Sequence, residues 1–238
     1  MLKTALQIHK WVGLVVAIQV LFWVVGGLVM TVLPISWVRG ENHAPPPVAT
    51  RLIAIGEMKS PAELALGSAE VRSAELRATP RGPLWLVKTK SARHVFDAAS
   101  GLPLSRLTPD EATGAAKLAY VGRGEPGQAL FLQRPPQEAA TTTPLYSVTF
   151  DDAVGTTLYL DPDTGETVKR RSNLWRFYDL FWRLHIMDWP AGENFNHPLI
   201  IAAAALTLFV TVTGVILLWL RLARDLRNLD NRRRRAQA

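Results

Sequence analysis

The chain has no cysteine among its 238 residues. Disulfide bonds, thiolate metal sites, iron–sulfur clusters and cysteine nucleophiles are therefore excluded. The sequence also lacks a His-Glu-x-x-His motif, a Gly-x-Ser-x-Gly motif and a phosphate-binding glycine loop, so nothing in it indicates a hydrolase or a nucleotide-dependent enzyme. We therefore assign no catalytic residue and no metal site, and look for chemistry among the five histidines.

Two long segments carry no charge at all, from Trp11 to Leu33 and from Leu199 to Leu220. At 1.5 Å rise per residue, each matches a hydrocarbon core of about 30 Å. A soluble core helix is rarely apolar on every face for that length. The first run is about twice as long as the apolar region of a signal peptide, and no Ala-x-Ala cleavage site follows it. The sequence therefore predicts two membrane spans.

Net positive charge is concentrated at the two ends of the chain. Lys3 and Lys10 precede the first span, and the residues after Leu220 include seven arginines and two aspartates. Because positive flanks stay in the cytoplasm, we expect both termini inside and the region between the spans in the periplasm or outside, with the protein in a bacterial inner membrane. A basic tail next to a span favours contact with anionic lipid over nucleic acid.

The region between the spans repeats one order of elements. Ala44–Pro47 is expected to be a stiff linker. The first half is predicted to form a helix capped by Ser60 and two strands, over Pro61–Ser73, 84–88 and 94–97. The second half is predicted to form a helix capped by Thr108 and two strands, over 109–119, 145–150 and 156–160. The sequence therefore predicts an α+β fold.

Both halves close a strand with the same turn pattern, at Asp97–Gly101 and at Asp161–Gly165. Pro162 suits the second position of a type I turn, and a glycine at the fifth position supplies the positive φ that closes such a hairpin. We therefore expect a tandem duplication of a helix and an antiparallel hairpin.

This turn, Phe/Leu-Asp-x-x-Ser/Thr-Gly after a helix, resembles the PepSY domain. His9–Leu14, Asn196–Leu199 and Phe177–His185 resemble segments that flank or precede the membrane helices in PepSY-associated transmembrane proteins. The resemblance extends from His9 to about Trp219 and implies a membrane protein with a PepSY-like domain. Larger members of the family, some similar to siderophore-iron reductases, have about four spans, whereas this chain has two.

Three histidines lie at predicted membrane boundaries. They are His9 before the first span, His197 at the start of the second, and His185 on a helical aromatic stripe of Trp175, Tyr178, Trp182 and Trp189. Arg176, Asp179 and Arg183 lie on the other side of that stripe, which predicts an amphipathic helix facing lipid or the adjoining span. By contrast, His43 and His94 are expected to be solvated surface residues.

A histidine at a membrane boundary is rare and suggests a function, and neutral imidazole is a usual axial ligand of haem iron. Resemblance adds that reductase-like members are thought to hold haem b with membrane histidines. We therefore hypothesise that His185 and His197 hold one haem. Other roles stay open: headgroup contact for His9, helix capping for His197, and aromatic packing for His185.

His9 cannot share that haem. It lies about 24 residues, or roughly 36 Å of helix, from the outer end of its span. A second haem at His9 needs a histidine from another copy or from a partner subunit. Gly26-Gly27 and Gly214 are small residues that allow close packing of the spans or a homodimer.

Three functions are compatible with the sequence. The first is a haem-binding electron-transfer or accessory component in iron (ferric-siderophore) uptake. The second is a binding or regulatory module without enzymatic activity, because PepSY domains are similar to inhibitory pro-segments of secreted metalloproteases, so that a peptide, a peptidase or a partner membrane complex is bound. The third is a scaffold subunit of an iron-uptake complex.

The predicted segments are the N-terminus (1–10), first span (11–36), exported domain (37–174, with repeats at about 56–106 and 107–171), interfacial segment (175–196), second span (197–220) and basic tail (221–238).

Overall fold

The structure is a computed structural model that describes residues 2–46, 58–67, 70–189, 194 and 196–237. The chain divides into two compact units. We call residues 1–32 with 178–238 the membrane unit and residues 33–177 the central domain. The predicted α+β class, with an apolar helix at each end of an antiparallel-sheet domain, is confirmed.

The described residues form five α-helices and eight β-strands. The helices are α1 (Leu2–Val32), α2 (Ile35–Val38), α3 (Pro109–Ala119), α4 (Asn173–Ile186) and α5 (Pro198–Gln237). The strands are β1 (Val71–Thr79), β2 (Gly82–Thr89), β3 (Arg93–Asp97), β4 (Glu125–Pro126), β5 (Leu130–Leu132), β6 (Leu145–Asp151), β7 (Thr157–Leu160) and β8 (Thr167–Arg171).

Helices α1 and α5 are long and apolar enough to cross a membrane, over Leu6–Val32 and Pro198–Leu229. They pack side by side in antiparallel directions. His9 of α1 bonds to Thr213 of α5, and a Cβ at Gly13 would lie 3.7 Å from Val210, so that rising numbers on α1 match falling numbers on α5. Small residues at such contacts let two helix backbones approach closely.

The central domain has two antiparallel sheets. The first has the order β1-β2-β3, and the second has the order β4-β6-β7-β8, with β5 also paired to β6. Helix α3 packs its buried Ala112 and Ala116 against the core of the second sheet. Thr108 caps this helix in a capping box with Glu111, as the sequence predicts. The strands predicted in the second half are also confirmed to within a residue.

The two predicted turns have the same backbone geometry. In each, the amide of the closing glycine donates to the carbonyl of the first aspartate, and Gly101 and Gly165 have φ of +73° and +74°. The side chain of each aspartate accepts a hydrogen bond from the backbone amide three residues later. The shared pattern at Asp97 and Asp161 therefore encodes one turn used twice.

The two sheets are joined by ion pairs between oppositely charged side chains. Arg93 of β3 donates to Asp161 at 2.8 Å, and Arg77 of β1 donates to Glu166 at 3.2 Å. Burial alone would raise the pKa of Asp161, but hydrogen bonds from Arg93 and from backbone amides outweigh it and hold that pKa below its usual value. Asp161 is thus ionised and links the halves.

The predicted helix over Pro61–Ser73 is wrong. The described part of that segment contains one 3-10 turn, Pro61–Glu63, capped by Ser60 as expected, and Leu64 is already extended. Gly67 has a positive φ, and β1 begins at Val71 because it pairs along β2. Tertiary strand pairing therefore overrides the local helical signal in this segment.

The predicted linker at Ala44–Pro47 is only partly correct. Ala44 has no exposed surface and belongs to the core under the second sheet, so the chain is packed there. Pro45 and Pro46 are exposed, and Pro47 lies outside the described residues. The prediction of an interfacial segment to residue 196 likewise falls partly outside them, at 190–193 and 195.

Candidate functional site: histidines of the membrane unit

His9 lies in the contact between α1 and α5. Its Nδ1 is 2.8 Å from the hydroxyl oxygen of Thr213, and a Cβ added to Gly214 would lie 3.3 Å from its Cε1. The imidazole is half-buried. Gly214 therefore leaves the room that the ring occupies, and Thr213 fixes the direction in which the ring points.

The partners of Thr213 indicate which nitrogen of His9 carries the proton. The single hydroxyl proton of Thr213 has carbonyl acceptors within its own helix, Phe209 at 2.8 Å and Val210 at 3.1 Å. With that proton donated to the backbone, the oxygen accepts the Nδ1–H of His9. The neutral ring then keeps the lone pair on Nε2, which is the usual form of a histidine that ligates a metal.

The C-terminal end of α4 packs against the opposite half of α1. The last carbonyls of a helix have no partner within the helix. Here Gln19 donates to the carbonyl of Leu184 at 3.3 Å, and Trp23 donates to that of His185 at 2.8 Å. Gln19 and Trp23 are four residues apart and thus share one face of α1. The two side chains hold the end of α4 in place.

His185 is set against this face with an unsatisfied nitrogen. Its ring lies 6.2 Å from that of Trp23, and a Cβ at Gly26 would lie 3.8 Å from its Nδ1. That Nδ1 is buried and has no hydrogen-bond partner among the described residues. A buried polar atom without a partner costs stability, so it points to a group beyond those described.

His197 acts as a cap at the start of α5. Its Nδ1 accepts a hydrogen bond from the backbone N–H of Leu199 at 3.3 Å. This bond gives a partner to one of the amides that a helix start leaves unpaired. In this arrangement the proton of a neutral ring is on Nε2. His197 would ligate through Nε2 only after giving up this cap.

The structure does not join all three histidines. Gly13 of α1 lies against Val210 of α5. Because the two helices are antiparallel, thirteen residues forward along α1, at Gly26, corresponds to thirteen residues back along α5, at His197. Continuing the antiparallel register thus places His197 at the level of Gly26, which His185 contacts. No ring contact joins His185 and His197 among the described residues. His9 lies 17 residues from Gly26, or about 26 Å along α1.

The remaining histidines differ from each other. His94 is exposed, as predicted. The prediction for His43 is wrong: its Nδ1 is buried, its ring stacks on Tyr120 at 6.4 Å, and its carbonyl accepts the amide of Val121. The cause is the packing of the neighbouring Ala44 into the core.

The aromatic stripe is shorter than predicted. α4 ends at Ile186, and Met187 has a φ of +56°, so Trp189 lies beyond the helix. On the other side of the stripe, Arg183 bonds Asp179 at 2.6 Å. The buried end of α4 faces α1, which is one of the two environments expected for this helix.

The first turn of α4 is fixed within the central domain. Both carboxylate oxygens of Glu138 bond Arg176 at 2.9 Å, and Tyr159 donates to the same carboxylate at 2.7 Å. Burial alone would raise the pKa of Glu138, but these bonds outweigh it and lower that pKa. Burial, with the bond to Glu138, raises the pKa of Tyr159.

Sequence reasoning missed Gln19, Trp23 and Thr213 as partners of the histidines. A signal was present for Gln19, because a polar residue within an apolar span is usually hydrogen-bonded. No signal identified Thr213, because threonine is common in membrane helices and only the pairing register selects it.

The described residues contain no group of three or more histidine, aspartate or glutamate side chains that could hold a metal ion.

Comparison with known proteins identifies a family. No curated protein and no solved structure shows a significant match. The family model described as the PepSY-associated TM region matches residues 6–238. The chain is therefore a membrane protein that belongs to the family of PepSY-associated transmembrane proteins.

Proposed function

We propose that this protein is a haem-binding electron-transfer or accessory component of the membrane, working in iron (ferric-siderophore) uptake. The iron-uptake part rests on the resemblance of some larger members of the family to siderophore-iron reductases. The haem-binding part rests on the histidines of the membrane unit. A bound haem would supply a one-electron redox centre within the bilayer.

The observation that carries the proposal is the bond between Nδ1 of His9 and the hydroxyl of Thr213. It orients the ring and leaves the lone pair on Nε2, as in histidines whose second nitrogen is held by a neighbouring acceptor while the first binds a metal. The nearby Gly214 carries no side chain that would crowd the ring. His9 is thus prepared as a ligand on one side of the membrane.

His185 is the corresponding residue on the other side. Its buried Nδ1 has no partner among the described residues, and Gly26 places no side chain against the ring. His197, at the same level by the helix register, is the candidate second ligand. To bind haem iron, His197 would give up the hydrogen bond that it accepts from the amide of Leu199. Because His9 lies about 26 Å away along the helix, its own second ligand must come from another copy or from a partner subunit.

The protein's own residues would orient the group and exclude water. Trp23 fixes the end of α4 and packs beside His185. Gln19 satisfies a second carbonyl of the same helix end. These contacts remove backbone acceptors that would otherwise bind water in the membrane interior.

The test is a reduced-minus-oxidised visible spectrum of the full chain, purified in detergent from cells that make haem. The proposal predicts b-type absorption bands. We expect His9→Ala to remove one component, and His185→Ala or His197→Ala to remove another. A featureless spectrum of folded protein would overturn the haem proposal.

We also propose that the protein lies in a bacterial inner membrane with both termini in the cytoplasm and the central domain in the periplasm. The basic flanks at Lys3, Lys10 and the tail support this orientation. The chain has no cysteine, so a single cysteine placed at the exposed Ser91 or Arg224 can report sidedness. A membrane-impermeant maleimide applied to spheroplasts should label Ser91→Cys but not Arg224→Cys; the reverse pattern would contradict the orientation.

A second candidate function is a binding or regulatory module for a peptide, a peptidase or a partner membrane complex. It is favoured by β1, a nine-residue, largely exposed strand that pairs only with β2 among the described residues. An open edge of this kind can accept an extended peptide as an additional strand. The test is peptide-library selection on the full-length protein: a true ligand should slow hydrogen exchange at β1, and binding without that change would contradict this mode.

A further inference from the structure

The last turns of α4 lie alongside α1 in the membrane unit. The carbonyl oxygen of Phe181 is 3.6 Å from a Cβ built on Gly26. Four residues later, the carbonyl of His185 accepts the indole N–H of Trp23 at 2.8 Å. Rising numbers on α4 thus match falling numbers on α1, so the two helices are antiparallel. Helix α4 therefore descends beside α1 from the level of Gly26 to that of Trp23.

This contact lies deep in the span of α1. The uncharged run ends at Leu33, which is about 10 Å along the helix beyond Gly26 and about 15 Å beyond Trp23. We call the half of the span from Trp23 to Leu33 the outer half. Large apolar side chains on one face of α1 are exposed through this half, namely Val24 at 64%, Leu28 at 63% and Val32 at 67%. Because such a face belongs in lipid, α4 ends near the middle of a hydrocarbon core about 30 Å thick.

The side of α4 that faces away from α1 is charged at the same depth. Arg183 bonds Asp179 at 2.6 Å, and their side chains are 20% and 19% exposed. Each of the two lies two residues, or about 200° around the helix, from Phe181 or His185, which meet α1. A charge at this depth is costly unless polar groups or water surround it.

The chain also leaves helical geometry within this depth. Met187 follows the end of α4 with a φ of +56°. The carbonyl of Trp189 then turns back and accepts a hydrogen bond from Arg183 at 3.1 Å. Irregular backbone at membrane depth is tolerated only where protein buries it or where it lines a water-filled cavity.

Two amide side chains after this turn are exposed, those of Asn194 and Asn196. The backbone N–H of Asn194 donates to the carboxylate of Asp188, which is only 4% exposed. Asn196 precedes His197, which the helix register places at the level of Gly26. Lipid offers no hydrogen bond to an amide at this depth, whereas water does.

We propose that the charged side of α4 and the described residues that follow it line a water-filled cleft. The cleft enters the membrane unit at the outer end of the span and reaches the level of Trp23. Its occupants are water and the protons and small hydrophilic solutes that water carries. A partner subunit fits less well, because charged residues are depleted from the cores of protein interfaces.

The cleft and the ring of His185 are on opposite sides of α4. A helix with its side chains is about 10–12 Å across, so a solute beside Arg183 comes within roughly that distance of the imidazole without entering lipid. A hydrophilic electron acceptor from the outer side can thereby approach the group proposed at His185. This consequence rests on the proposed function, whereas the cleft itself does not require haem.

The test is the labelling of single cysteines in the full chain, in native membranes, by a small charged thiosulfonate. The chain has no cysteine of its own, and the reagent is applied on the side from which Ser91→Cys is labelled. Asn194→Cys and Asn196→Cys should react at least tenfold faster than Leu28→Cys, the matched control at nearly the same depth on the lipid-facing side of α1. Labelling after denaturation gives the total thiol of each variant.

Two results would overturn the proposal. Slow labelling at both asparagine positions would show that lipid or protein covers them. Equally fast labelling of Leu28→Cys would place the outer half of α1 itself in water. Neither measurement depends on haem, so a failure of the cleft is distinguishable from a failure of the haem proposal.

A bulky reagent distinguishes a cleft from an open surface. A maleimide carrying polyethylene glycol should react readily with Ser91→Cys, which is exposed on the central domain, but at least tenfold more slowly with Asn194→Cys. Equal rates at the two positions would show that Asn194 lies on an open surface, and would contradict the cleft.

Discussion

The membrane unit and the central domain use their polar side chains differently. In the central domain, charged groups such as Asp161 and Glu138 are paired with Arg93 and Arg176, and those pairs are explained by the fold. In the membrane unit, the buried Nδ1 of His185 has no partner among the described residues, and in the central domain the same holds for Nδ1 of His43, Oγ1 of Thr167 and Nε of Arg170. What sets His185 apart is its place beside α1 in the membrane unit, where lipid supplies no hydrogen-bond partner.

The largest expected effect is at His185. Replacing His185 with Ala should remove the haem component on its side of the membrane completely, because the proposed ligand is lost. The protein should stay folded, since the deleted Nδ1 makes no hydrogen bond to any described residue. The measurement is the reduced-minus-oxidised spectrum together with the thermal midpoint. His94→Ala, at an exposed histidine of the central domain, is the control, and an equal loss of signal there would contradict the assignment.

The next effect concerns the space beside His185. Gly26→Leu should reduce haem occupancy about tenfold or more, because a Cβ at Gly26 already comes within 3.8 Å of the ring nitrogen and the rest of the side chain would crowd the site. Gly27→Leu is the matched control, because no atom of the described residues lies within 4 Å of a Cβ there. Haem per protein is measured for both. Similar occupancy in the two variants would show that the space at Gly26 is not used.

A smaller effect is expected at Thr213. Thr213→Val keeps the shape of the side chain but removes the acceptor for Nδ1–H of His9, which should weaken binding at His9 about tenfold. Thr211→Val is the control, since Thr211 is exposed and its hydroxyl donates to the carbonyl of Thr207 within the same helix. Haem titration of the two variants distinguishes them. Unchanged binding in Thr213→Val would mean that Thr213 does not orient the histidine.

The smallest expected change is in the central domain and affects stability alone. Asp161→Asn should lower the thermal midpoint by a few degrees, corresponding to about 2 kcal/mol, because a charge-assisted bond to Arg93 is lost. Asp97→Asn, in the equivalent turn without an arginine partner, should have less effect. The spectrum should not change in either variant. A loss of haem in Asp161→Asn would contradict the expectation that haem binding depends on the membrane unit and not on this ion pair of the central domain.

The same pair predicts a pH dependence. The pKa of Asp161 is lowered in the folded protein, so its contribution to stability is present above the pKa of an unfolded aspartate, about 3.9. That contribution is lost as pH falls from about 4 through the folded pKa. The stability difference between wild type and Asp161→Asn should therefore shrink below pH 4, as measured by thermal unfolding. A difference that grows in acid would contradict the assignment.

The sequence predicted those features that depend on local chemistry. The spans follow from uncharged runs, the α3 start from Thr108 and Glu111, and the twin turns from the Asp and Gly positions. It failed where packing decides. The segment after Ser60 becomes strand β1 because β2 lies alongside it, and the extra strands β4 and β5 carry little pattern of their own.

The candidate site was predictable only in part. The five histidines are visible in the sequence, and their positions relative to the spans selected His9, His185 and His197. Their neighbours depend on helix register, which no single-sequence pattern determines. Thus the contact of His9 with Thr213 and the burial of Nδ1 of His43 became apparent only from the structure, whereas helix capping was already among the roles left open for His197.

The most direct test of the central claim is the amount of haem that the wild-type full chain retains on purification. The pyridine haemochrome assay and a protein determination give that ratio on a sample whose fold is verified by circular dichroism. The account predicts haem b in a fixed ratio to the chain that survives washing in detergent. Folded protein with no retained haem, even after incubation with excess haem, would contradict it.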